Sequence, residues 1–573
     1  MDAMNDDYKA SKEAFVSGMT GSTIGHINLV SLASLLSIAL HSAVRTRFPP
    51  SRSFQFLTEA VLLIIPLLLS VTIFASSPVI LCLLLTAPTG LILLQPRRES
   101  GTWLPSSLKH SRQSSRASNP SRNPSPSRVL SIAIPPLTAL TTYRAHMLLL
   151  TFICILAVDF SVFPRFLAKC ETYGVSMMDI GVGSFVFSQG VVSAIPLLKN
   201  PPHLTEPLLP KVTTALRKCS PVLLLGLLRT ISVKGTEYPE HVTEYGVHWN
   251  FFITLGLLPI FQVLLHPLMV YIPISLLGLV VATSHQLALS TGKLAQFILE
   301  APRVSVVSAN KEGLISMAGL STGTLLLAPS PSYFRRQQQQ LAQEASGTAR
   351  QRPSVSDSDT DDDVPSPISP SSPANPSLTT RVVEVRREND KTATELCSYA
   401  VLWWVLLGAL KLADVGGGVS RRMANLQYVI WIAAYNSTFI LGYLVLDLAF
   451  FPSPLSRSVY SPTSKLKLHP DPRLLNATRY TGAASVGVGM GVNADRRRET
   501  GAEAGGVAQP LLEAINKNGL VLFLLANVAT GLINLSMQTM YASDWSAMVV
   551  LTLYSFGVSA VAWACRYRKI WRF

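Results

Sequence analysis

The chain has 573 residues, of which 48% are hydrophobic and only 14% are charged, and its mean hydropathy is +0.34. A soluble domain needs about 25% charged residues to cover its surface, so this composition excludes an ordinary soluble protein and predicts a polytopic membrane protein. The formal net charge of +15 does not indicate nucleic-acid binding, because the basic residues lie between apolar runs, as on the cytoplasmic loops of membrane proteins.

A hydrocarbon core of about 30 Å needs roughly 20 apolar residues per helix. The sequence therefore predicts an all-α polytopic membrane protein with about 13 transmembrane helices and disordered cytosolic loops. The expected spans are 24–44, 57–75, 78–95, 145–164, 174–198, 219–233, 249–265, 268–289, 312–328, 393–413, 426–450, 517–538 and 545–565.

Three connections lack the apolar content needed to offset the entropy of ordering, and we expect them to be disordered insertions. They are 96–143, rich in Ser, Pro and Arg; 329–392, with a Gln run and an acidic block; and 451–515, rich in Gly, Ser and Arg. They separate an N-terminal segment (1–23), helices 1–3 (24–95), helices 4–9 (144–328), helices 10–11 (393–450), and helices 12–13 with a basic tail (516–573).

The distribution of Lys and Arg predicts a cytosolic C-terminus and a luminal N-terminus. The Asn476-Ala-Thr478 sequence then lies in a cytosolic insertion, and we expect no glycosylation there. Four short connections, 165–173, 234–248, 290–311 and 414–425, fall on the luminal side although they are dense in charged residues. Basic residues there oppose the orientation rule, so we expect the four connections to build a shared polar site.

The stretch 159–190 leaves one apolar run at Asp159, turns through Lys169, and enters another run that holds Asp179. Ionisable groups at the edge of hydrocarbon are costly to maintain and are functional candidates by default. Spacing alone leaves a second interpretation open, in which Asp159 and Lys169 are interfacial residues that only pair with each other. Asp179, five residues into the next helix, is better interpreted as a lining or packing partner.

The other three connections carry further candidates. His248 can accept a proton near neutral pH, and the alternative is an interfacial histidine beside Trp249. Clusters of Arg and Lys suit phosphate oxygens, whereas the alternative is helix capping and interfacial anchoring. No HExxH pattern, P-loop, dinucleotide fingerprint or GxSxG elbow is present, and the six scattered cysteines form no CxxC pair, so no metal site is expected. The candidates for substrate binding are Arg229, Lys234, His241, Asn250, Arg303, Asn310, Lys311, Arg421, Arg422 and Asn425.

Several blocks carry a resemblance to one family, from end to end of the chain. They are FVSGMTGSTIGHINLV, AVDFSVFPRFLAKCETYGVSMMDIGVGSFVFSQG, EYPEHVTEYGVHWNFFITL, LEAPRVSVVSANKEG, SRRMANLQYVIWIAAYN and NGLVLFLLANVATGLINLSM. The chain resembles the fungal GPI-anchored wall transfer protein family, the inositol acyltransferases of GPI-anchor assembly. The resemblance implies a multi-pass enzyme of the endoplasmic reticulum membrane that moves a fatty acyl chain, typically palmitoyl, from acyl-CoA to the inositol of glucosaminyl-phosphatidylinositol. It implies acyl-CoA as a co-substrate, no cofactor and no covalent acyl-enzyme.

For such a reaction we expect Asp159 to act as the general base and Lys169 to stabilise the oxyanion or hold the base in place. His248 is the alternative base. The rival functions are a polytopic transporter of a lipid or anionic solute, which the lack of repeated halves disfavours, and a scaffold for another anchor enzyme.

Overall fold

The computed structural model describes residues 17–48, 54–96, 137–199, 206–234, 245–272, 274–313, 389–451 and 509–570, with short pieces at 11–12, 14–15, 132–133, 320–321 and 383–384. The described chain is helical. Its helices are α1 (Ile24–Arg47), α2 (Gln55–Leu63), α3 (Ile65–Val71), α4 (Pro78–Leu93), α5 (Thr138–Ala157), α6 (Met177–Lys199), α7 (Leu208–Lys234), α8 (Phe251–Leu264), α9 (His266–Tyr271), α10 (Ile274–Ser290), α11 (Leu294–Glu300), α12 (Val306–Ala309), α13 (Asn389–Leu412), α14 (Leu426–Phe450), α15 (Pro510–Lys517), α16 (Gly519–Ser536) and α17 (Asp544–Ala564).

Two short 3-10 helices, Arg165–Leu167 and Thr539–Tyr541, follow α5 and α16. The strands β1 (Ile132–Ala133) and β2 (Val383–Glu384) pair in parallel, with Ile132 opposite Val383. The two strands come from the predicted insertions 96–143 and 329–392, respectively.

The membrane-spanning helices form the expected polytopic bundle, but the predicted count of about 13 spans is not confirmed. Within the described ranges, seven helices are long and apolar enough to cross a bilayer, or eight if the α10–α11 pair, bent by 63°, is one span. Several predicted spans are shorter pieces because proline starts a new helix: α3 has Pro66, and α9 has Pro267, in its first turn. Most of the predicted span 312–328 lies outside the described residues.

Helices also begin earlier than the apolar runs predict. Helix α5 begins at Thr138, α13 at Asn389 and α15 at Pro510, so each starts inside a segment assigned to an insertion. The first turn of α13 contains Asp390, a residue that an apolar count does not include. Hydropathy therefore locates the hydrocarbon crossing, whereas the helix extends beyond it into the polar boundary.

Helix α14 lies at the centre of the bundle. Nearly every residue from Leu426 to Asn436 is buried, including the large side chains of Tyr428 and Trp431. Helix α6 packs closely against it at Gly183, where a Cβ atom would come within 2.5 Å of the Ile432 side chain. A residue larger than glycine would therefore push α6 away from α14 and widen the space between α6 and its neighbours.

The four predicted luminal connections meet on one face of the bundle, which confirms the expected clustering for their described residues. Gly174 N donates to Val419 O (2.9 Å), and Val247 N donates to Ala309 O (2.9 Å). The N-terminal segment joins this face through Ser22 N, which donates to Val175 O (2.7 Å). The C-terminal tail lies at the other end of the helices, where Asn518 Nδ2 donates to Arg568 O. Which face is luminal stays a prediction.

Candidate active site

Asp159 lies in the turn that follows α5 and is buried, with 4% of its surface exposed. The guanidinium group of Arg165 fixes this turn by donating to the carbonyl oxygens of Val158, Phe160 and Phe163 at 2.7–3.0 Å. Burial lowers the pKa of Arg165 to about 10, and the carboxylate of Asp159 opposes that shift. Arg165 therefore stays protonated at neutral pH and holds the backbone around Asp159 as a fixed cation.

The carboxylate of Asp159 is held by two side chains from distant parts of the chain. Its Oδ2 atom accepts a hydrogen bond from Asn534 Nδ2 (2.8 Å), and its Oδ1 atom lies 3.5 Å from Lys12 Nζ. Lys12, which is not among the residues that the sequence predicts for the site, is thus a cation beside Asp159, and Lys169 lines the same cavity. A distance in sequence does not set a distance in space: Lys12 reaches the site because the N-terminal segment folds back over the turn.

Asp159 opens onto a cavity of about 350 Å³ enclosed mainly by α5, α6 and α14. Its charged walls near Asp159 come from the N-terminal segment, the turn after α5, α7 and the loop before α14. The structure thus brings together five of the predicted site residues. They are Asp159, Lys169, Arg229, Asn250 and Arg421.

The interior of the cavity is mostly apolar. Its walls include Met147, Leu150, Ile155, Met178, Phe185 and Phe523. From residue 157 back to residue 146 along α5, the wall extends for about 17 Å at 1.5 Å per residue. The cavity therefore joins a charged region to an apolar space about as long as one bilayer leaflet, which is half of the roughly 30 Å hydrocarbon core.

A buried polar network lines the cavity at the His146 end. Tyr443 OH donates to Ser34 Oγ (2.9 Å), so His146 Nδ1 acts as the donor in its 2.7 Å contact with that hydroxyl. Tyr143 and Ser184, which also line the cavity, bond to Oδ1 of Asn436. The apolar part of the cavity ends at this network, because an acyl chain offers its polar groups no hydrogen-bond partner.

Comparison with known proteins shows which family the chain belongs to. The GWT1 family model matches residues 8–565. The chain belongs to the GWT1 family. It is 35% identical to GPI-anchored wall transfer protein 1 of Aspergillus fumigatus, covering 99% of both chains. It is 34% identical to the protein of that name from Cryptococcus neoformans var. neoformans, covering 98% of this chain and 99% of the relative, and 32% identical to that from Saccharomyces cerevisiae, covering 98% of both.

In this GWT1-family chain, Arg421 is neutralised by Asp179. Arg421 Nε lies 2.7 Å from Asp179 Oδ1, and Asp179 is fully buried. Asp179 Oδ2 also accepts from Ser176 Oγ (2.8 Å). Asp179 is thus a packing partner, as expected, and it fixes the guanidinium of Arg421 at the cavity wall rather than leaving its full charge for a phosphate.

Arg303 and Arg422 share one buried carboxylate. Glu312 Oε1 accepts from Arg303 Nη2 (2.7 Å) and Arg422 Nη2 (2.8 Å), and Glu312 is fully buried. Lys311 Nζ donates to the carbonyl oxygens of Phe297 and Ala301 at the end of α11. None of the three cations lines the cavity. The three residues therefore have structural partners outside the cavity, and their role in phosphate binding stays a prediction.

The three predicted amides also have structural partners. Asn250 caps α8 by accepting from Phe252 N and Ile253 N, and Asn425 caps α14 by accepting from Tyr428 N. Asn310 Oδ1 accepts from His248 N (2.8 Å). Of these, only Asn250 also lines the cavity. The N-terminal amides of a helix need such acceptors, so Asn250 and Asn425 act as helix caps, whereas Asn310 joins two loops.

His248 is exposed, and the cavity wall is formed by its neighbours Val247 and Trp249 instead. The imidazole of His248 is therefore not one wall of the site, which removes the geometric support for it as the alternative base. His241 and the side chain of Lys234 lie outside the described residues.

Neither Lys12 nor Asn534 is among the site residues that the sequence predicts. Asn534 could have been noticed in the sequence because it is a polar amide within an apolar run. Burial of such an amide costs free energy unless it bonds to another buried polar group. Lys12 lies in a polar segment with no apolar pattern, so the sequence gives no comparable signal for its burial.

Cys170 lines the cavity close to the candidate base but is not suited to nucleophilic attack. Burial and the negative charge of Asp179 raise the pKa of its thiol well above the usual value. A thiol, unlike a thiolate, is a weak nucleophile at neutral pH. The geometry therefore favours direct transfer between two bound substrates over a covalent intermediate at Cys170.

Proposed function

We propose that this protein is an O-acyltransferase of GPI-anchor biosynthesis. It moves a fatty acyl chain, palmitoyl in the first instance, from acyl-CoA to the inositol of glucosaminyl-phosphatidylinositol. The names of its relatives support a role in GPI-anchored protein assembly. The observation that carries the proposal is the cavity, in which Asp159 and Lys169 border an apolar interior.

The apolar interior suits a long acyl chain. One leaflet of a bilayer, about 15 Å of hydrocarbon, accommodates one extended fatty chain, and the α5 wall offers about 17 Å. Each buried methylene contributes about 0.8 kcal/mol, so a long chain supplies most of the binding energy of the donor. The acyl carbon then lies near Asp159, and the methyl end lies toward His146.

The chemistry requires a base, an oxyanion stabiliser and a leaving-group proton. The carboxylate of Asp159 takes the proton from an inositol hydroxyl as that oxygen attacks the thioester carbon. The ammonium group of Lys169 stabilises the negative oxygen of the tetrahedral intermediate. The intermediate then expels the CoA thiolate, which receives the proton from Asp159, so that an inositol ester and free CoA leave the site.

This reaction places the protein in the endoplasmic reticulum membrane as a multi-pass enzyme. We propose a luminal N-terminus and a cytosolic C-terminus, in keeping with the positive charge of the C-terminal tail and the face shared by the N-terminal segment and the site. Acyl-CoA and the glycolipid are the partners, and no cofactor is required.

The test is acyl transfer by the purified protein, supplied with labelled palmitoyl-CoA and glucosaminyl-phosphatidylinositol. Asp159→Asn and Lys169→Met should each reduce turnover by at least 100-fold, the scale of general-base and oxyanion contributions. Normal turnover in both folded variants would show that the chemistry lies elsewhere. Flux of the lipid without consumption of acyl-CoA would instead identify a transporter.

Matched controls test whether the losses are specific to the cavity. Asp447 is a carboxylate of α14 that accepts from Thr138 at the end of the bundle away from Asp159, and Lys411 is an exposed lysine in the last turn of α13. Neither lines the cavity. Asp447→Asn and Lys411→Met should therefore keep wild-type turnover per folded molecule.

A further inference from the structure

We propose that Lys12, brought to the cavity by the N-terminal segment, is a positioning residue that supplies a counter-charge to Asp159 and holds its carboxylate correctly aimed. This inference rests on the proposed role of Asp159 as the base. Lys12 is 6% exposed, which is rare for a lysine without a specific partner, and it lines the same cavity as Asp159 and Lys169.

Three side chains form a closed triangle at this point. Lys12 Nζ donates to Asn534 Oδ1 (2.9 Å), Asn534 Nδ2 donates to Asp159 Oδ2 (2.8 Å), and Asp159 Oδ1 lies 3.5 Å from Lys12 Nζ. Each member therefore contacts the other two. Removal of any one leaves a buried polar group of another without its partner, which costs more than the contact itself contributes.

Lys12 also fixes the orientation of the Asn534 amide. Both Lys12 Nζ and Thr539 Oγ1 donate to the same oxygen, Asn534 Oδ1, at 2.9 Å. An ammonium group has no acceptor, so that position must be the amide oxygen and the NH₂ group must face Asp159. With Oδ2 committed to Asn534, the carboxylate is held in one rotamer instead of turning freely in the cavity.

The positive charge matters because Asp159 is buried. Desolvation disfavours an ionised carboxylate, whereas an opposite charge within about 4–6 Å favours it. A protonated Asp159 has no free electron pair of useful basicity and cannot accept the inositol proton. Lys12 therefore supplies, at 3.5 Å, the opposite charge that favours the working form of the base.

The N-terminal segment is docked against the site rather than loosely placed over it. The ring of Phe15 lies 4.1 Å from the guanidinium carbon of Arg165, and Gly18 N donates to Glu171 Oε1 (2.8 Å). Gly21 has a φ of +80°, and a Cβ atom there would lie 2.5 Å from Val175 O. Only glycine permits this approach, so Gly21 sets how closely the segment can bring Lys12 to the cavity.

Other charged groups surround Asp159, and the test must separate their effects from that of Lys12. They are Arg165, Lys169 and Glu171 in the turn, Arg229 on α7, Arg421 paired with Asp179, and Asp544 at the start of α17, which accepts from Ser161 Oγ. All of these stay in place in a Lys12 variant. A change that follows Lys12 alone therefore reports on its own charge.

The first experiment is a pH profile of acyl transfer by the full-length protein. Lys12→Met should move the acidic limb of kcat/KM to higher pH, because the base is protonated more readily once the cation at 3.5 Å is gone. The loss is then larger at pH 6 than at pH 8. Lys12→Arg should restore most of the profile. A loss that is equal at every pH would overturn the proposal, since a merely structural lysine gives that result.

Gly21→Ala supplies a variant that leaves every member of the triangle intact. It should undock the segment, reproduce the upward shift of the acidic limb, and add little to Lys12→Met when the two are combined. An unshifted profile in folded Gly21→Ala protein would contradict the part assigned to the N-terminal segment.

A second measurement needs no substrate and so judges the ion pair separately from the proposed reaction. In a double-mutant cycle of thermal unfolding, Lys12→Met and Asp159→Asn should be strongly non-additive, because each removes the same contact. Additive effects would show that the contact is absent and would overturn the inference. If the effects are coupled but the protein does not transfer acyl groups, the ion pair is supported and only the proposed function is refuted.

Discussion

Gly181 offers a direct way to fill the apolar interior without disturbing the bundle. It lies on α6, it lines the cavity, and a Cβ atom at this position would have no heavy atom within 4 Å. Leucine at position 181 therefore projects into the space assigned to the acyl chain. By contrast, Gly183, two residues later, has no such room because of Ile432.

The size of the effect follows from the displaced hydrocarbon. A leucine side chain carries four carbon atoms, and the exclusion of about four methylenes at about 0.8 kcal/mol each weakens binding of a long-chain donor by about 3 kcal/mol. That is roughly a 200-fold decrease in kcat/KM for palmitoyl-CoA. Gly181→Ala displaces about one carbon, for a decrease of about fourfold. The alanine should also stabilise the helix by about 0.5–1 kcal/mol, so stability and activity change in opposite directions.

The assay is kcat/KM for a series of acyl-CoA donors of decreasing length, together with thermal unfolding. Gly181→Leu should lose most with the longest donors and shift the optimum to shorter chains. The matched control is Gly557 on α17, which also has open space around it, is exposed, and does not line the cavity. Gly557→Leu should leave the chain-length profile unchanged. Unaltered use of palmitoyl-CoA by folded Gly181→Leu would refute this location for the acyl chain.

Three further outcomes are expected. Glu312→Gln leaves Arg303 and Arg422 without their shared carboxylate and should lower the free energy of unfolding by about 3–5 kcal/mol, measured by denaturation in detergent; unchanged stability would contradict the buried triad. Cys170→Ala should retain turnover because its thiol is protonated, and loss of activity in a folded variant would point to a covalent intermediate. Arg229→Gln should raise KM for both phosphate-bearing substrates and reduce the salt dependence of KM, whereas the exposed Arg217→Gln on the same helix, away from the cavity, should not.

Charge and hydropathy in the sequence were sufficient to predict the fold class and the grouping of the polar connections. Apolar runs mark where helices cross hydrocarbon, and the alternation of basic loops orders the connections into two faces. The contacts of Gly174 with Val419 and of Val247 with Ala309 agree with that order. The number of spans did not follow, because prolines divide apolar runs into pieces that run length alone treats as continuous helices.

The partners of the charged residues could not be predicted because they depend on distances across the bundle. Asn534 is 375 residues from Asp159 and 522 residues from Lys12, yet all three are in contact. Lys169 is only ten residues from Asp159 along the chain, and that proximity suggested an ion pair. The turn fixed by Arg165 also receives Lys12, which is 147 residues away along the chain and lies 3.5 Å from the same carboxylate.

Charge balance narrows the search for the groups that bind substrate phosphates. The sequence predicts a set of luminal cations as equivalent candidates, but the structure shows that they differ in burial and in their partners. Arg303 and Arg422 share Glu312, Arg421 is paired with Asp179, and Lys311 is bonded to backbone oxygens. A cation that has already been desolvated and paired gains little from a phosphate, whereas an exposed one at a cavity wall loses little water and gains a full opposite charge. Arg229 meets that description, being exposed on α7 where the helix borders the cavity, so anionic substrate groups should approach the base from the α7 side.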